Sequence, residues 1–194
     1  MKGVLIYIVL SSLFLSTLSQ ESVPTPRPPP NPQDAAASAR YLIAQSLWGV
    51  LSTLAYDMGG APFGNAVSFA DGGIGDPYFY LTFIDPTTAN YSLKDQRSSF
   101  TVSQHPLQTC GVNDTQLPSC ARVTLTGKLI MVDENSDEAG IGKRALFGRH
   151  PHFAGLPRSL NFNVFKLQVE SVFIINIFKP PRFPKVDDYR RAKV

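Results

Sequence analysis

The sequence has little net charge and no long apolar run, and both shortages exclude a class of protein. Its 18 basic residues nearly balance 15 acidic ones, for a formal net charge of +3. Basic residues cluster only near the C-terminus, where two aspartates interrupt them, which predicts a solvated tail rather than a nucleic-acid site. The apolar run at residues 4–15 is shorter than the roughly 20 residues of a membrane-spanning helix, and no later run is longer. We expect neither a nucleic-acid partner nor a membrane span.

Motifs for catalysis and metal binding are scarce as well. The three histidines belong to no HExxH motif, and the sequence has no GxSxG elbow and no CxxC pair. The acidic run from residue 133 begins like an EF-hand loop, but Glu138 stands where that loop needs glycine and Arg144 where it needs a carboxylate. Gly142 and Lys143 imitate the end of a phosphate-binding loop, yet Arg144 replaces its serine or threonine. We therefore predict no metal site and no catalytic residue.

The first 33 residues predict export. Residues 1–19 have the layout of a signal peptide, with Lys2 ahead of the apolar run and the small residues Thr17 and Ser19 before the expected cleavage point. Residues 20–33 contain six prolines and predict an extended linker. Residues 34–194 are enough for one domain with its own core, without a second linker or an internal repeat.

Because the protein is predicted to be exported, its two cysteines predict a disulfide and its two glycosylation motifs predict N-linked glycans. Cys110 and Cys120 lie close together in a polar stretch, and in the oxidising secretory pathway such a pair predicts a disulfide that staples one loop. Asn90 and Asn113 each begin an Asn-X-Ser/Thr motif without a middle proline, so we predict N-linked glycans at both. Asn113 lies inside the loop that the disulfide would close.

Hydrophobic periodicity predicts a mainly β protein. Asp34 can cap a helix with apolar residues every four positions, and acidic residues precede a second helix at residues 139–147. Apolar and polar residues alternate along much of the remaining chain, and a strand-rich chain with few helices predicts a closed or split barrel. The predicted strands are residues 48–56, 63–69, 78–83, 98–104, 121–132 and 162–178.

The end of the last predicted strand differs from the others because residues 172–178 are apolar on both faces. A strand of this composition is buried on both sides or meets a second subunit. We therefore expect this segment to take part in dimerisation.

Several short motifs occur in an order that resembles a known family. WGVLST at residues 48–53 is followed by DPYFYL at 76–81, by the two cysteines and by ALFGRHP at 145–151. With the signal peptide, this order resembles the CREG family of secreted glycoproteins, cellular repressors of viral-oncoprotein-stimulated genes. The resemblance implies a mainly β fold with flanking helices, the FMN-binding type of split β-barrel found in pyridoxamine phosphate oxidases. It also implies a homodimer, a cell-surface or sorting receptor, a secreted or endosomal and lysosomal location, and control of cell growth and differentiation.

Many barrels of this fold bind flavin mononucleotide (FMN) between subunits, and oxidase-type members hold its phosphate with Arg and Lys from the second strand and the following helix. An unpaired buried phosphate would be costly. In an ungapped alignment those cations fall on Asn65, Ala70, Thr87 and Thr88, and no Lys, Arg or His occurs between residues 41 and 93. Backbone amides at a helix N-terminus can also bind phosphate.

The prediction from this comparison is a non-enzymatic glycoprotein without FMN. An FMN-dependent oxidoreductase is the alternative, and a carrier of an apolar ligand in the barrel or dimer cleft is a third hypothesis. For Arg149, His150 and Pro151 we predict a structural role, as a helix end docked on the barrel.

Overall fold

The computed structural model describes residues 28–84, 86–111 and 114–193. The predicted signal peptide and Asn113 lie outside these residues. Six antiparallel strands close into a barrel in the order β1-β2-β3-β6-β5-β4. The strands are β1 Trp48–Ala55, β2 Ala61–Ala70, β3 Tyr78–Thr82, β4 Arg97–Ser103, β5 Arg122–Met131 and β6 Phe162–Ile175, and the helices are α1 Ala35–Gln45, α2 Pro86–Lys94, α3 Asp137–Arg149 and α4 Val186–Arg191.

The core lies inside the barrel because apolar and polar residues alternate along the strands. In β1 and β4 every second side chain is buried, and residues at successive positions point to opposite faces of a sheet. Phe69, Phe79 and Phe100 meet at the centre, with Phe100 edge-on to Phe69 at 4.7 Å and to Phe79 at 5.0 Å between ring centroids. Edge-to-face packing places the positive ring edge against a negative ring face.

The predicted mainly β barrel is confirmed, and the strand bounds agree within two residues except at the end of β6. β6 stops at Ile175, and within the single chain residues 172–178 are not buried on both faces, so of the two predicted alternatives only contact with a second subunit remains. Val172 and Ile174 point into the core, whereas Phe173 on the outer face is only half-buried and packs edge-on against Phe183 at 5.5 Å. Phe178 lies beyond the strand and is 73% exposed.

Two predicted helices begin where their capping residues place them. The Asp34 carboxylate accepts a hydrogen bond from the backbone N–H of Ala37 at 2.9 Å, and Ser136 caps α3 by accepting from Ala139 at 3.2 Å. Asp137 and Glu138 occupy the first turn of α3, where carboxylates favour the positive end of the helix dipole.

The C-terminal basic segment is not a free solvated tail, which corrects the prediction from charge alone. It forms α4, whose Tyr189 is fully buried and donates its hydroxyl proton to the carbonyl of Gly75 at 2.7 Å. The Arg190 guanidinium binds the Asp76 carboxylate at 2.9 Å. The segment was misjudged because a single buried tyrosine among charges carries no periodic signal.

The long hairpin of β5 and β6 contains a close backbone contact at Gly127. The pairing register shifts between Thr126 and Gly127, as at a β-bulge. A Cβ at residue 127 would lie 1.9 Å from the carbonyl oxygen of Gln168, which is inside van der Waals contact. Only glycine fits here, so the close pairing of β5 and β6 at the bulge requires this residue.

Candidate functional site

A cleft of about 310 Å³ lies between β2, β3 and the helices beside them. We call it the barrel cleft. Its walls are mostly apolar, with hydroxyl and amide groups from β2 and β3, and none of its lining residues is charged. The lining residues are Asn65, Ala66, Val67, Ser68, Tyr80, Leu81, Thr82, Ala89, Phe153 and Phe162.

One wall of the barrel cleft is aromatic. Tyr80 stacks on Phe162 with 5.0 Å between ring centroids and also meets Phe153 at 5.7 Å and Phe147 at 5.4 Å. Burial raises the pKa of the Tyr80 hydroxyl, so this wall stays uncharged at neutral pH. The cleft can therefore take a neutral planar or apolar group but contributes no charged side chain to a reaction.

The residues aligned with the phosphate-binding cations of flavin oxidases occupy different surroundings. Asn65 lines the barrel cleft, whereas Ala70 is buried and packs with Tyr78 and Leu146 in a small apolar cluster beside α3. A lysine at position 70 would have to bury its charge in that cluster, which is strongly unfavourable.

The end of α3 docks on the barrel as predicted. The Arg149 guanidinium donates to the backbone carbonyls of Ala44 at 2.7 Å and Ser46 at 3.0 Å, which caps the C-terminus of α1. The buried His150 ring places Nε2 2.9 Å from the carbonyl oxygen of Phe69. These bonds hold α1, β2 and α3 together, so both side chains have a structural role.

A buried ion pair joins α1 to the loop between β2 and β3. Arg40, 2% exposed, binds the Asp71 carboxylate, and its guanidinium carbon lies 5.9 Å from the centre of the Tyr189 ring. Gly75 lets this loop approach, because at its φ of +91° a Cβ would lie 2.9 Å from Tyr189. The pair fastens α1 to the β2–β3 loop, 31 residues away.

Three titratable side chains are in contact at the start of α3: Glu138, Lys166 and Tyr78. Lys166 Nζ lies 2.6 Å from Glu138 Oε1, and this hydrogen bond is the main reason that the pKa of Glu138 is lowered. Tyr78 donates to the same oxygen at 3.2 Å, and burial, with the neighbouring Glu138 charge, raises its pKa to about 12. A neutral phenol, a carboxylate and an ammonium group thus form a structural network, away from the barrel cleft. Among the described residues, no group of three or more metal-ligating side chains comes together.

The remaining predicted site residues fall on two separate surfaces. Cys110 and Cys120 are joined as a disulfide, with 4.8 Å between their Cα atoms. Asn90 is half-buried on α2, next to Ala89 at the edge of the barrel cleft. The helix orders its glycosylation motif, because the buried Ser92 hydroxyl donates to the carbonyl of Ala89 at 2.8 Å.

The fold defines the class of protein: a mainly antiparallel barrel with flanking helices, shared with pyridoxamine-phosphate-oxidase-like proteins. The chain superimposes on a heme binding protein from Mycobacterium smegmatis with a TM-score of 0.68 at 21% identity, over 84% of this chain and 62% of the other. It superimposes on a putative pyridoxamine 5′-phosphate oxidase from Listeria innocua with a TM-score of 0.51 at 17% identity, over 70% and 94%. At these identities the likeness concerns the fold alone.

The chain belongs to the CREG family, since the family model described as "CREG, beta-barrel" matches residues 30–190. It is similar to Protein CREG1 of Gallus gallus, with 31% identity over 84% of this chain and 89% of the relative. It is also similar to Protein CREG2 of Homo sapiens, with 33% identity over 80% of this chain and 55% of that relative. The resemblance inferred from ordered motifs is thereby confirmed. Among the described residues, no helix combines the length and the apolar character needed to cross a membrane.

Sequence reasoning missed the barrel cleft and the Arg40–Asp71 pair. The cleft brings Phe153 and Phe162 to residues 65–89, and the ion pair joins residues 31 positions apart, with no spacing in the sequence that would link them. The one available signal was negative: the cation-free stretch 41–93 supplies most of the cleft.

Proposed function

We propose that this CREG-family chain is a non-enzymatic, secreted or endolysosomal glycoprotein that acts as a homodimer, through receptor binding, in the control of cell growth and differentiation. The proposal that the protein is not an enzyme is based on the uncharged lining of the barrel cleft. The cleft offers no cation for a phosphate, and its lining residues include no carboxylate, imidazole, ammonium or thiol group.

The fit of FMN to this site can be argued from charge. The FMN phosphate carries up to two negative charges, and its burial without a counter-charge costs several kcal/mol. Of the two aligned positions on the second strand, Asn65 lies at the cleft without a charge, and Ala70 is buried in the apolar cluster with Tyr78. The residues present therefore do not fit the phosphate group of FMN, and the oxidoreductase alternative is not favoured.

The homodimer is supported by an uncharged outer face of the barrel. Val50, 39% exposed on β1, pairs with Ala66 on β2 and with Thr101 on β4, and Thr101 in turn pairs with Thr124 on β5. The Thr101 and Thr124 hydroxyl oxygens lie 2.9 Å apart and satisfy each other. Trp48, 49% exposed, continues this face at one end. An uncharged face of small and apolar groups, whose threonine hydroxyls satisfy each other, suits a second copy of the barrel.

The flavin question is tested with the purified protein. We expect no absorbance band near 450 nm and no quenching of FMN fluorescence when the protein is added in excess. A yellow protein, or stoichiometric FMN binding, would refute the non-enzymatic proposal. Asn65→Arg places a cation at the barrel cleft and serves as the matched variant: weak FMN binding gained by this change would show that the missing charge, rather than the cleft shape, excludes the cofactor.

The dimer is tested by placing a charge on the proposed interface. Val50→Asp should convert the protein to a monomer in light scattering, because it would bury an unpaired carboxylate between two barrels. Ile141→Asp, at a similarly exposed position on α3, is the control and should remain dimeric. A wild-type protein that is monomeric at micromolar concentration contradicts this part of the proposal.

Export, glycosylation and receptor action are tested in cells. The protein should appear in the medium, and glycosidase treatment should lower its mass. Each of the variants Asn90→Gln and Asn113→Gln should lack the mass of one glycan. Purified protein added to growing cells should bind their surface saturably and slow proliferation, whereas heat-unfolded protein should not. An unglycosylated protein retained inside the cell, or one without saturable surface binding, would contradict the proposal.

A further inference from the structure

A second and larger cleft, of about 450 Å³, lies at the end of the barrel where α1 meets the disulfide loop. We call it the linker cleft, because the last residues of the proline-rich segment form one wall. The opposite wall comes from the segment around the disulfide, and α1 forms the floor. Its lining residues are Pro29, Pro30, Pro32, Ser38, Tyr41, Leu42, Gln45, Gln104, Leu107, Thr109, Ser119, Ala121 and Asn176.

The linker cleft is uncharged, because none of its lining residues carries a charge. The apolar part consists of proline rings, the Tyr41 ring and aliphatic side chains. The polar part consists only of neutral amides and hydroxyls, which both donate and accept hydrogen bonds. A charged ligand would find no counter-charge among the lining residues, and a purely apolar ligand would leave these amides and hydroxyls without partners.

The proline-rich wall is held in place by Arg182. Its guanidinium donates to the carbonyls of Pro32 at 2.7 Å and Gln33 at 2.6 Å, and it also binds the Asn176 side chain. Asn176 Nδ2 donates to the carbonyl of Pro32 at 3.0 Å. The end of the predicted linker is thus fixed to the domain, and its rings form a rigid wall rather than a flexible tether.

The disulfide orders the opposite wall. Thr109 and Ser119 directly precede Cys110 and Cys120, so the disulfide, with 4.8 Å between its Cα atoms, holds the two backbone segments that carry these hydroxyl groups together. Gln104 joins the wall together, because its Nε2 donates to Thr109 Oγ1 at 3.0 Å and its Oε1 accepts from the Ala121 N–H at 3.0 Å. Side-chain amides and hydroxyls are therefore presented in a set geometry.

Polar groups with remaining hydrogen-bonding capacity face this cleft. Gln104 and Asn176 each use one of the two protons on their side-chain nitrogen. Among the described residues, the side chains of Gln45 and Ser119 have no hydrogen-bond partner. Rigid neutral donors and acceptors beside a tyrosine ring and proline rings match a ligand that has hydroxyl groups on its edges and C–H groups on its faces.

We propose that the linker cleft binds an uncharged, hydroxyl-rich ligand, namely a short neutral oligosaccharide. Its volume falls within the roughly 300–1,000 Å³ of small-molecule sites. The proposal does not depend on the proposed function, because the linker cleft and the barrel cleft share no lining residue.

The binding experiment uses the full-length secreted protein, labelled with ¹⁵N, and three probes. The probes are N,N′-diacetylchitobiose as the neutral sugar, glucuronic acid as a charged sugar, and 1-octanol as an apolar ligand. We expect chitobiose, at about 10 mM for a Kd of about 1 mM, to shift the amide signals of Gln45, Thr109 and Ser119 and the side-chain amide of Gln104. No shift with chitobiose, or a stronger response to octanol or glucuronate, would overturn the proposal.

Two variants make the test specific. Gln45→Ala removes an amide with no structural bond and should weaken chitobiose binding about fivefold, in line with one lost hydrogen bond; Gln168→Ala, an exposed glutamine on β6, is the matched control. Ser119→Trp should fill the cleft and abolish binding, whereas the exposed Ser171→Trp should not. If Ser119→Trp fails to fold, Gln45→Ala still decides, since unchanged affinity there contradicts the assigned site.

Discussion

Replacing Asp71 with asparagine should destabilise the protein more than any other single removal of a charge among the described ion pairs. The substitution keeps the shape of the side chain but leaves the Arg40 guanidinium buried without a counter-charge. Arg40 is 2% exposed, and its Nε already has no hydrogen-bond partner among the described residues. The face of the Tyr189 ring also lies near the Arg40 guanidinium.

The expected loss is about 3–5 kcal/mol, the usual cost of removing one partner of a buried pair. A domain of this size is stable by about 5–15 kcal/mol, so the loss would remove a large part of its stability. Removing both charges in Arg40→Met with Asp71→Asn should cost less than the sum of the single changes, because no unpaired charge then remains.

The free energy of unfolding is measured in urea at pH 7 with the disulfide intact, following Trp48 fluorescence and circular dichroism together. The control is Asp95→Asn, which breaks the Arg97–Asp95 pair at the surface, where Arg97 is 77% exposed, and should leave the urea midpoint nearly unchanged. The reasoning would be refuted if Asp71→Asn and Asp95→Asn had equal effects, or if the double change cost the full sum.

Three further predictions test residues that support the fold around the two clefts. Gly127→Ala should cost more than about 3 kcal/mol in urea unfolding or prevent folding, because its Cβ meets the Gln168 carbonyl at 1.9 Å; a near-neutral effect would exclude the observed bulge. Stability should fall as pH rises from 10 to 12, since an unfolded Tyr78 ionises near 10 and the folded one near 12, and Tyr78→Phe should flatten that fall. Glu138→Gln should destabilise at pH 7 but not in acid, because the contribution of a carboxylate with a lowered pKa is lost as pH falls below 4.5; equal effects at both pH values would contradict it.

Local patterns explain why the strands and the first and third helices were predictable. Alternation in β4 and β5 and the caps at Asp34 and Ser136 depend on neighbours a few residues away, which the sequence displays directly. The helix α2 was not assigned from periodicity, because it is short and polar; of its residues 89–94, Ala89, Tyr91 and Ser92 are buried.

The end of β6 shows where composition misleads. An apolar run is compatible with burial on both faces, but a barrel has one interior, so Val172 and Ile174 enter the core while Phe173 stays outside with Phe183. The contact between Phe173 and Phe183 arises because the chain turns back after β6, with Arg182 pairing with Ile174. The apolar pattern along the sequence does not show that the chain reverses direction after β6.

The sequence by itself determined the barrel strands, the capped helices, the export and glycosylation motifs and the family, because each depends on short-range order along the chain. The tertiary structure alone decided which polar groups meet: Arg40 with Asp71, Arg149 with the end of α1, and Arg182 with the proline-rich segment. These contacts join residues from 31 to more than 100 positions apart, and their energy comes from burial and hydrogen bonding that exist only once the barrel has closed. For that reason, the neutral barrel cleft and the linker cleft are properties of the folded chain.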